Sequence, residues 1–135
     1  KHNSKLTLMF IDVDRFKSIN DSYGHVQGDR VLCELSRILK GSIRSDDAAG
    51  RFGGDEFVLV LNDTSIEHAT LVADRIQQET MRWVAASEFD ISLSIGIGEA
   101  PTHGDCLEEL LLKVDRAMYD TKLSADIGGV AWVKG

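Results

Sequence analysis

Cysteine is scarce in this sequence, and a long apolar run is lacking. The 135 residues include two cysteines, Cys33 and Cys106, whose spacing matches no metal-binding motif. This usage suggests no disulfide, which fits the cytoplasm, and the helical pattern around Cys33 predicts a small core residue. No stretch approaches the roughly 18 apolar residues that cross a bilayer, and no signal peptide is present. We therefore expect no membrane contact by this domain, although a parent protein could be membrane-anchored.

Basic residues are also fewer than acidic ones, 15 against 22. The formal net charge is −7 and the sequence pI is about 5.0. A nucleic-acid duplex requires a basic face that neutralises its phosphates, so the charge argues against nucleic acid as a partner, and charge and size together argue against a polymerase. A nucleotide is not excluded, because Mg²⁺ can supply positive charge locally.

The length predicts a single domain over residues 1–135. Because the chain starts with Lys1 rather than Met, we expect it to be a fragment of a multidomain protein. Apolar periodicity predicts strands at 6–13, 91–97 and 130–133, a hairpin at 50–61, and helices at 14–21, 29–43, from Ser65 onward and around 107–118. The strand at 91–97 alternates apolar with small or polar residues, which indicates half-burial.

Helices that alternate with a mostly antiparallel sheet predict an α+β fold. The expected architecture is a central sheet flanked by helices, of the ferredoxin-like or polymerase-palm type.

Residues 51–57 read Arg-Phe-Gly-Gly-Asp-Glu-Phe and form the most informative segment. Gly53 and Gly54 permit backbone angles closed to other residues, and they directly precede Asp55 and Glu56. An apolar strand follows at once, so the pattern predicts a tight turn that presents two carboxylates at the tip of a hairpin. Clustered carboxylates at such a place favour a bound cation.

Asp12 and Asp14 lie two residues apart at the end of the first strand, so both side chains point to the same side of the sheet. If the hairpin lies beside this strand, Asp12, Asp55 and Glu56 converge. Oxygen ligands favour Mg²⁺ or Mn²⁺ over zinc, and carboxylates from neighbouring strands support two-metal phosphoryl and nucleotidyl transfer. Asp14 has two interpretations, a further metal ligand or a cap of the following helix.

Several short blocks together carry a family resemblance. They read FIDVDRFK at 10–17, IND at 19–21, YGH at 23–25, GD at 28–29, GGDEF at 53–57, SIGI at 94–97, and DRAMY at 115–119 with Lys122. The chain resembles the diguanylate cyclases of the GGDEF family over residues 10–122. The resemblance implies a bacterial signal-transduction enzyme that condenses two GTP molecules into cyclic di-GMP and two pyrophosphates. It also implies a homodimer in which each protomer binds one GTP.

The resemblance assigns the reactive part of the site. The residues similar to the ligands of two Mg²⁺ or Mn²⁺ ions are Asp12, the backbone carbonyl of Val13, and Glu56. The residues similar to the catalytic motif are Gly53, Gly54, Asp55 and Glu56.

Other matching positions resemble nucleotide contacts. Asn20 and Asp29 resemble the guanine-reading pair, because an amide can bond O6 and a carboxylate can accept from N1–H and N2–H₂. Phe16 and Lys17 resemble a loop that wraps the terminal phosphates, and Lys122 resembles a second phosphate-contacting cation. Simpler interpretations are a helix C-cap for Asn20, a helix N-cap for Asp29, and solvated side chains for both lysines.

Arg44 and Asp47 stand nine and six residues before Gly53, at the offset of the family's RxxD motif. The resemblance implies an inhibitory site for the cyclic product, in which an arginine fork binds a guanine edge or phosphate and a carboxylate accepts from the guanine N–H groups. Arg75, on the next helix, is the candidate for a second arginine supplied by another protomer.

Two departures from the family pattern bear on activity. The usual opening segment, with its D-x-L-T and N-R signature, is missing before the first strand. Asp126 stands where the family usually has the arginine of G-R-N, and an anion there is expected to weaken phosphate binding. These departures favour an alternative function, a catalytically weak or inactive receptor for cyclic di-GMP or GTP. The intact Asp12, Asp55 and Glu56 favour the enzyme.

Overall fold

The computed structural model describes residues 6–100, 109, 112–117, 119 and 129–132. These residues include five strands and three helices, and residues 112–117 are also helical. In chain order they are β1 (Leu6–Val13), α1 (Phe16–Tyr23), α2 (His25–Gly41), β2 (Ala48–Arg51), β3 (Glu56–Asn62), α3 (Ile66–Ala85), β4 (Leu93–Ala100) and β5 (Gly129–Trp132).

The strands form one sheet in the order β2-β3-β1-β4-β5. The first four are antiparallel neighbours, and β5 joins the edge of the sheet parallel to β4. The mostly antiparallel α+β prediction is confirmed. Since β1 lies in the middle, its carboxyl end has the hairpin on one side and the start of β4 on the other.

Alternation along β1 divides its side chains between two cores. Met9, Ile11 and Val13 belong to the large cluster shared with residues of all three helices. Leu8 and Phe10 point to the opposite face, where they pack with Val114 from the helical residues 112–117. The sheet is therefore covered on both faces, and the end of β1 is held rigidly between them.

The helix boundaries differ from the predictions. The first helix begins two residues later than expected, because Asp14 and Arg15 form a turn, and α2 begins at His25 instead of residue 29. The sequence offers Thr64 or Ser65 as the cap of α3, and the structure has Ser65, whose hydroxyl accepts a hydrogen bond from the His68 N–H at 3.3 Å.

Two burial predictions were wrong. The strand β4 is buried on both faces from Leu93 to Glu99, because it lies inside the sheet and its alternate positions are small. Cys33 is exposed, since α2 turns Val31, Leu32 and Leu35 inward instead.

Within the ranges described, none of the helices combines the length and the hydropathy that crossing a membrane would require. The predicted helix around 107–118 is described in part, and Val114 is its buried member. Cys106, Lys122 and Asp126 lie outside the described residues.

Candidate active site

The pairing of β1 with β3 places Asp12 directly opposite Glu56. Side chains of opposed residues in an antiparallel pair lie on the same face of the sheet. The pairing continues past the strand, since the Val13 N–H donates to the Asp55 carbonyl oxygen at 3.1 Å. The convergence of Asp12, Asp55 and Glu56 is therefore built by the backbone.

The three carboxylates form a compact, half-buried cluster. One oxygen of each lies within 4.8 Å of an oxygen of the others. At an effective dielectric of about 20, two like charges at that separation repel by about 3–4 kcal/mol. This repulsion exceeds the net value of about 1 kcal/mol for an ordinary hydrogen bond. The cluster thus favours a divalent cation with oxygen ligands.

The hairpin turn holds Glu56 through the backbone. The N–H groups of Phe52 and Gly53 donate to the Glu56 carbonyl oxygen at 2.8 and 3.4 Å. Gly53 and Gly54 do not adopt a left-handed backbone, because Gly24 is the glycine with positive φ among the described residues. Gly53 provides room instead, since a Cβ there would lie 2.9 Å from Glu56 Oε1.

Asp14 lies outside this cluster, and the helix-cap interpretation drawn from the sequence was wrong. Its carboxylate accepts hydrogen bonds from the hydroxyls of Ser92 and Ser94, each at 2.7 Å. It does not cap α1, whose N-cap residue is Arg15 without a side-chain cap bond. Sequence reasoning missed the two serines, because only the sheet topology brings them to the end of β1.

The residues predicted to hold phosphate open the helix α1. Phe16 is half-buried against the main core, whereas Lys17 is exposed. Both follow Asp12 and Val13 after a two-residue turn. The first N–H groups of a helix lack intrahelical acceptors, and they favour anions.

Asn20 lies at the crossing of α1 and α2, next to the residue that precedes Asp29. The Asn20 side chain lies against Gly28, where a Cβ would overlap Asn20 Oδ1 and lie 3.2 Å from Phe16 Cζ. Asp29 is the next residue, and it is exposed. The capping interpretations were wrong, because Asn20 and Asp29 both lie within helices rather than at their ends. The packing role of Gly28 was missed, although the residue belongs to the GD block at 28–29, because the predicted helix began only at residue 29.

The Arg44 and Asp47 pair forms a corner that joins the start of β2 to the end of β3. The Asp47 carboxylate, 3% exposed, accepts from the Arg44 N–H at 3.0 Å and the Asn62 N–H at 2.9 Å. The Arg44 guanidinium donates to the Asn62 carbonyl at 2.6 Å and to the Thr64 hydroxyl at 2.9 Å. Arg44 remains 57% exposed. Arg75 is exposed on α3.

Comparison with known proteins agrees with this geometry. The family model described as "Diguanylate cyclase, GGDEF domain" matches residues 1–126. Diguanylate cyclase A of Treponema denticola is 37% identical over 120 residues, which cover 87% of this chain and 32% of that protein. Diguanylate cyclase TpbB of Pseudomonas aeruginosa is 40% identical over 129 residues, which cover 93% of this chain and 30% of that protein.

Solved structures share the fold. The crystal structure of the TpbB GGDEF domain superposes with a TM-score of 0.90 at 37% identity, covering 99% of this chain and 85% of that one. A microbial GGDEF domain studied for its interaction with cyclic di-GMP superposes with a TM-score of 0.80 at 31% identity, covering 96% and 81%. The chain spans about a third of the length of the curated relatives it matches.

Proposed function

This chain belongs to the GGDEF family of diguanylate cyclase domains, and from that membership we propose that it condenses two GTP molecules into cyclic di-GMP and two pyrophosphates. The observation that carries the proposal is the cluster of Asp12, Asp55 and Glu56, gathered from two strands. A domain that only bound nucleotide would have no need of three carboxylates at this spacing. Their presence favours the enzyme over the receptor.

The donor set fits Mg²⁺ or Mn²⁺, since every side chain in it offers oxygen. Asp12, Glu56 and the Val13 carbonyl would hold two ions, with Asp55 beside them. Such ions, when bound, lower the pKa of a coordinated hydroxyl and neutralise charge on a transferring phosphoryl group. The protein's part is to fix these oxygens on paired strands, where little reorganisation is needed during reaction.

Nucleotide recognition is divided between the two helices. Asn20 and Asp29 would read the guanine edge at the crossing of α1 and α2. Phe16 would offer its backbone N–H and Lys17 its ammonium group to the phosphates, joined by Lys122. One GTP would therefore lie along α1, with its α-phosphate close to Asp12.

The reaction requires two protomers, because each is proposed to hold one GTP. The 3′-hydroxyl oxygen of one nucleotide loses its proton to solvent and attacks the α-phosphorus of the other. A new P–O bond forms, the bond from the α-phosphorus to the oxygen that bridges to the β-phosphorus breaks, and pyrophosphate leaves. The reciprocal attack closes the ring. Most of the acceleration comes from alignment and electrostatic stabilisation.

We place product inhibition at Arg44 and Asp47, with Arg75 from another protomer. Asp47 is committed to two backbone N–H groups, so its part is to fix the Arg44 backbone. The Arg44 side chain is exposed, and it would exchange its bonds to Asn62 and Thr64 for the product. The domain would act in the cytoplasm, where GTP is available, as one module of a longer protein.

Incubation of the protein with GTP and Mg²⁺, followed by chromatography, tests the proposed reaction. We expect cyclic di-GMP and pyrophosphate in a 1:2 ratio, and no product when Mg²⁺ is replaced by a chelator. Glu56→Gln keeps the size of the side chain but removes its charge, and it should lower the rate by at least about 100-fold.

Glu67→Gln is the matched control, since Glu67 is exposed on α3, and it should leave the rate unchanged. GTP binding without cyclic di-GMP at high protein concentration would contradict the enzyme and support the receptor.

A further inference from the structure

The Asp14 carboxylate is buried and fully engaged with the segment that leads into β4. It is 3% exposed, its Oδ1 accepts from the Ser94 hydroxyl, and its Oδ2 accepts from the Ser92 hydroxyl. Its backbone N–H donates to the Ser92 carbonyl oxygen at 2.9 Å. Burial of a carboxylate is costly unless such bonds compensate for the lost water. Their number marks Asp14 as an anchor between β1 and β4.

The bonds of Asp14 hold the turn between β1 and α1, called here the Arg15 corner, in a strained conformation. The next residue, Arg15, has φ 57° and ψ 34°, a left-handed backbone that is uncommon for a residue with a side chain. Such a conformation costs free energy and persists where the surroundings fix it. On the other side of the corner, Val13 is fixed by its bond to the Asp55 carbonyl.

The corner separates the two halves of the site. Asp12 precedes it in the carboxylate cluster, and Phe16 and Lys17 follow it in the first turn of α1. A relaxation of Arg15 toward a right-handed backbone would change the direction in which α1 leaves the sheet. The N–H groups of that first turn would then move relative to Asp12.

We propose that Asp14 is a positioning residue for the nucleotide's β- and γ-phosphates. It acts through the Arg15 corner, which it holds by bonding Ser92 and Ser94, and it contacts neither nucleotide nor metal. The inference rests on the proposed function, because it takes the first turn of α1 as the phosphate site.

The affinities for two different nucleotides distinguish a positioning role of Asp14 from a purely structural one. Titration calorimetry with Mg²⁺ compares 3′-deoxy-GTP, which lacks the attacking hydroxyl, with 3′-deoxy-GMP, which lacks the outer phosphates. Asp14→Ala should weaken triphosphate binding about tenfold, the equivalent of about 1.4 kcal/mol, and should change monophosphate binding less than about twofold. Asp14→Asn should restore the triphosphate affinity, because an amide can accept from one serine hydroxyl and donate to the other.

Asp74→Ala, at an exposed position of α3, is the matched control and should bind both nucleotides as the wild type does. Should Asp14→Ala fail to fold, Ser92→Ala and Ser94→Ala each remove one bond and should lower the triphosphate-to-monophosphate affinity ratio a few-fold.

An unchanged ratio in Asp14→Ala, or in both serine variants, would overturn the inference and leave a structural role. Failure of Asp14→Asn to restore binding would also overturn it, because the negative charge itself would then be required. A wild type that binds neither nucleotide would overturn the proposed function itself.

Discussion

The space between α1 and α2 at residue 28 admits a hydrogen atom and no side chain. A Cβ on Gly28 would overlap the Asn20 amide and crowd the Phe16 ring. Both residues belong to the proposed nucleotide site, one to guanine recognition and one to phosphate binding. The absence of a side chain at Gly28 is therefore a condition for the position of both.

Gly28→Ala should weaken GTP binding by at least about tenfold, because the methyl group displaces the Asn20 amide. It should also lower the free energy of unfolding by about 1–3 kcal/mol, as expected for overpacking. Titration calorimetry with 3′-deoxy-GTP and urea denaturation measure the two effects.

Gly41→Ala is the matched control within the same helix. A Cβ at Gly41, the last residue of α2, meets no atom within 4 Å, so this variant should bind nucleotide normally and be as stable as the wild type or slightly more so. Equal affinities for Gly28→Ala and Gly41→Ala would show that Asn20 does not read the nucleotide from this position.

At the scale of elements, the hydrogen bonds among Arg44, Asp47 and Asn62 join the start of β2 to the end of β3, close to the start of α3. Asp47 bonds two backbone N–H groups, and the Thr64 carbonyl accepts from the Thr7 hydroxyl of β1 at 2.6 Å. The proposed inhibitory site is thus continuous with the sheet that carries Asp12. A ligand that draws Arg44 away from Asn62 would act on the end of β3 opposite to Glu56.

Asp47→Ala should lower the free energy of unfolding by about 2–4 kcal/mol, because it removes two charge-assisted hydrogen bonds from a buried position. The neighbouring Asp46→Ala is the control, since the Asp46 side chain is 64% exposed and its loss should cost less than about 0.5 kcal/mol. Urea denaturation with both variants provides the comparison, and a similar cost for the two would refute the structural part assigned to Asp47.

For the whole molecule, the proposed reaction makes catalysis depend on encounter between two copies. Below the dissociation constant of the dimer, the rate per protomer should fall about tenfold for each tenfold dilution, because the dimer fraction is proportional to concentration. Fusion to a dimeric coiled coil should abolish that dependence. The measurement is initial cyclic di-GMP formation over a dilution series at saturating GTP.

The same fusion carrying Glu56→Gln controls for contaminating activity and should remain inactive. A rate per protomer that stays constant across the series without the fusion would count against assembly during catalysis.

Features that depend on one continuous segment of sequence were predictable. Contacts between segments that are far apart in the sequence were not. The strand at Leu6–Val13 and the Ser65 cap follow from periodicity and capping chemistry within one segment. The convergence of Asp12 with Asp55 and Glu56 was predictable once β1 and the hairpin were taken as neighbours. By contrast, the partners of Asp14 lie about 80 residues away, and no local pattern indicates them.

Burial was the property that the sequence determined least. Which face of a helix is buried depends on the elements that pack against it. Cys33 is exposed on α2, although the nearby Val31, Leu32 and Leu35 are buried. The alternation in β4 indicated a solvated face, yet Ser94 and Gly96 are buried beside β1. Small residues are as typical of close packing as of exposure.

The position of β1 also has a consequence for biosynthesis. Among the described strands it comes first, yet it pairs with β3 and β4, which leave the ribosome later. Until then its backbone N–H and C=O groups form an unpaired edge that is open to other chains. Because Asp12 acquires Glu56 as its neighbour only through the pairing of β1 with β3, a nascent chain would hold no carboxylate cluster until β3 has emerged and paired with β1.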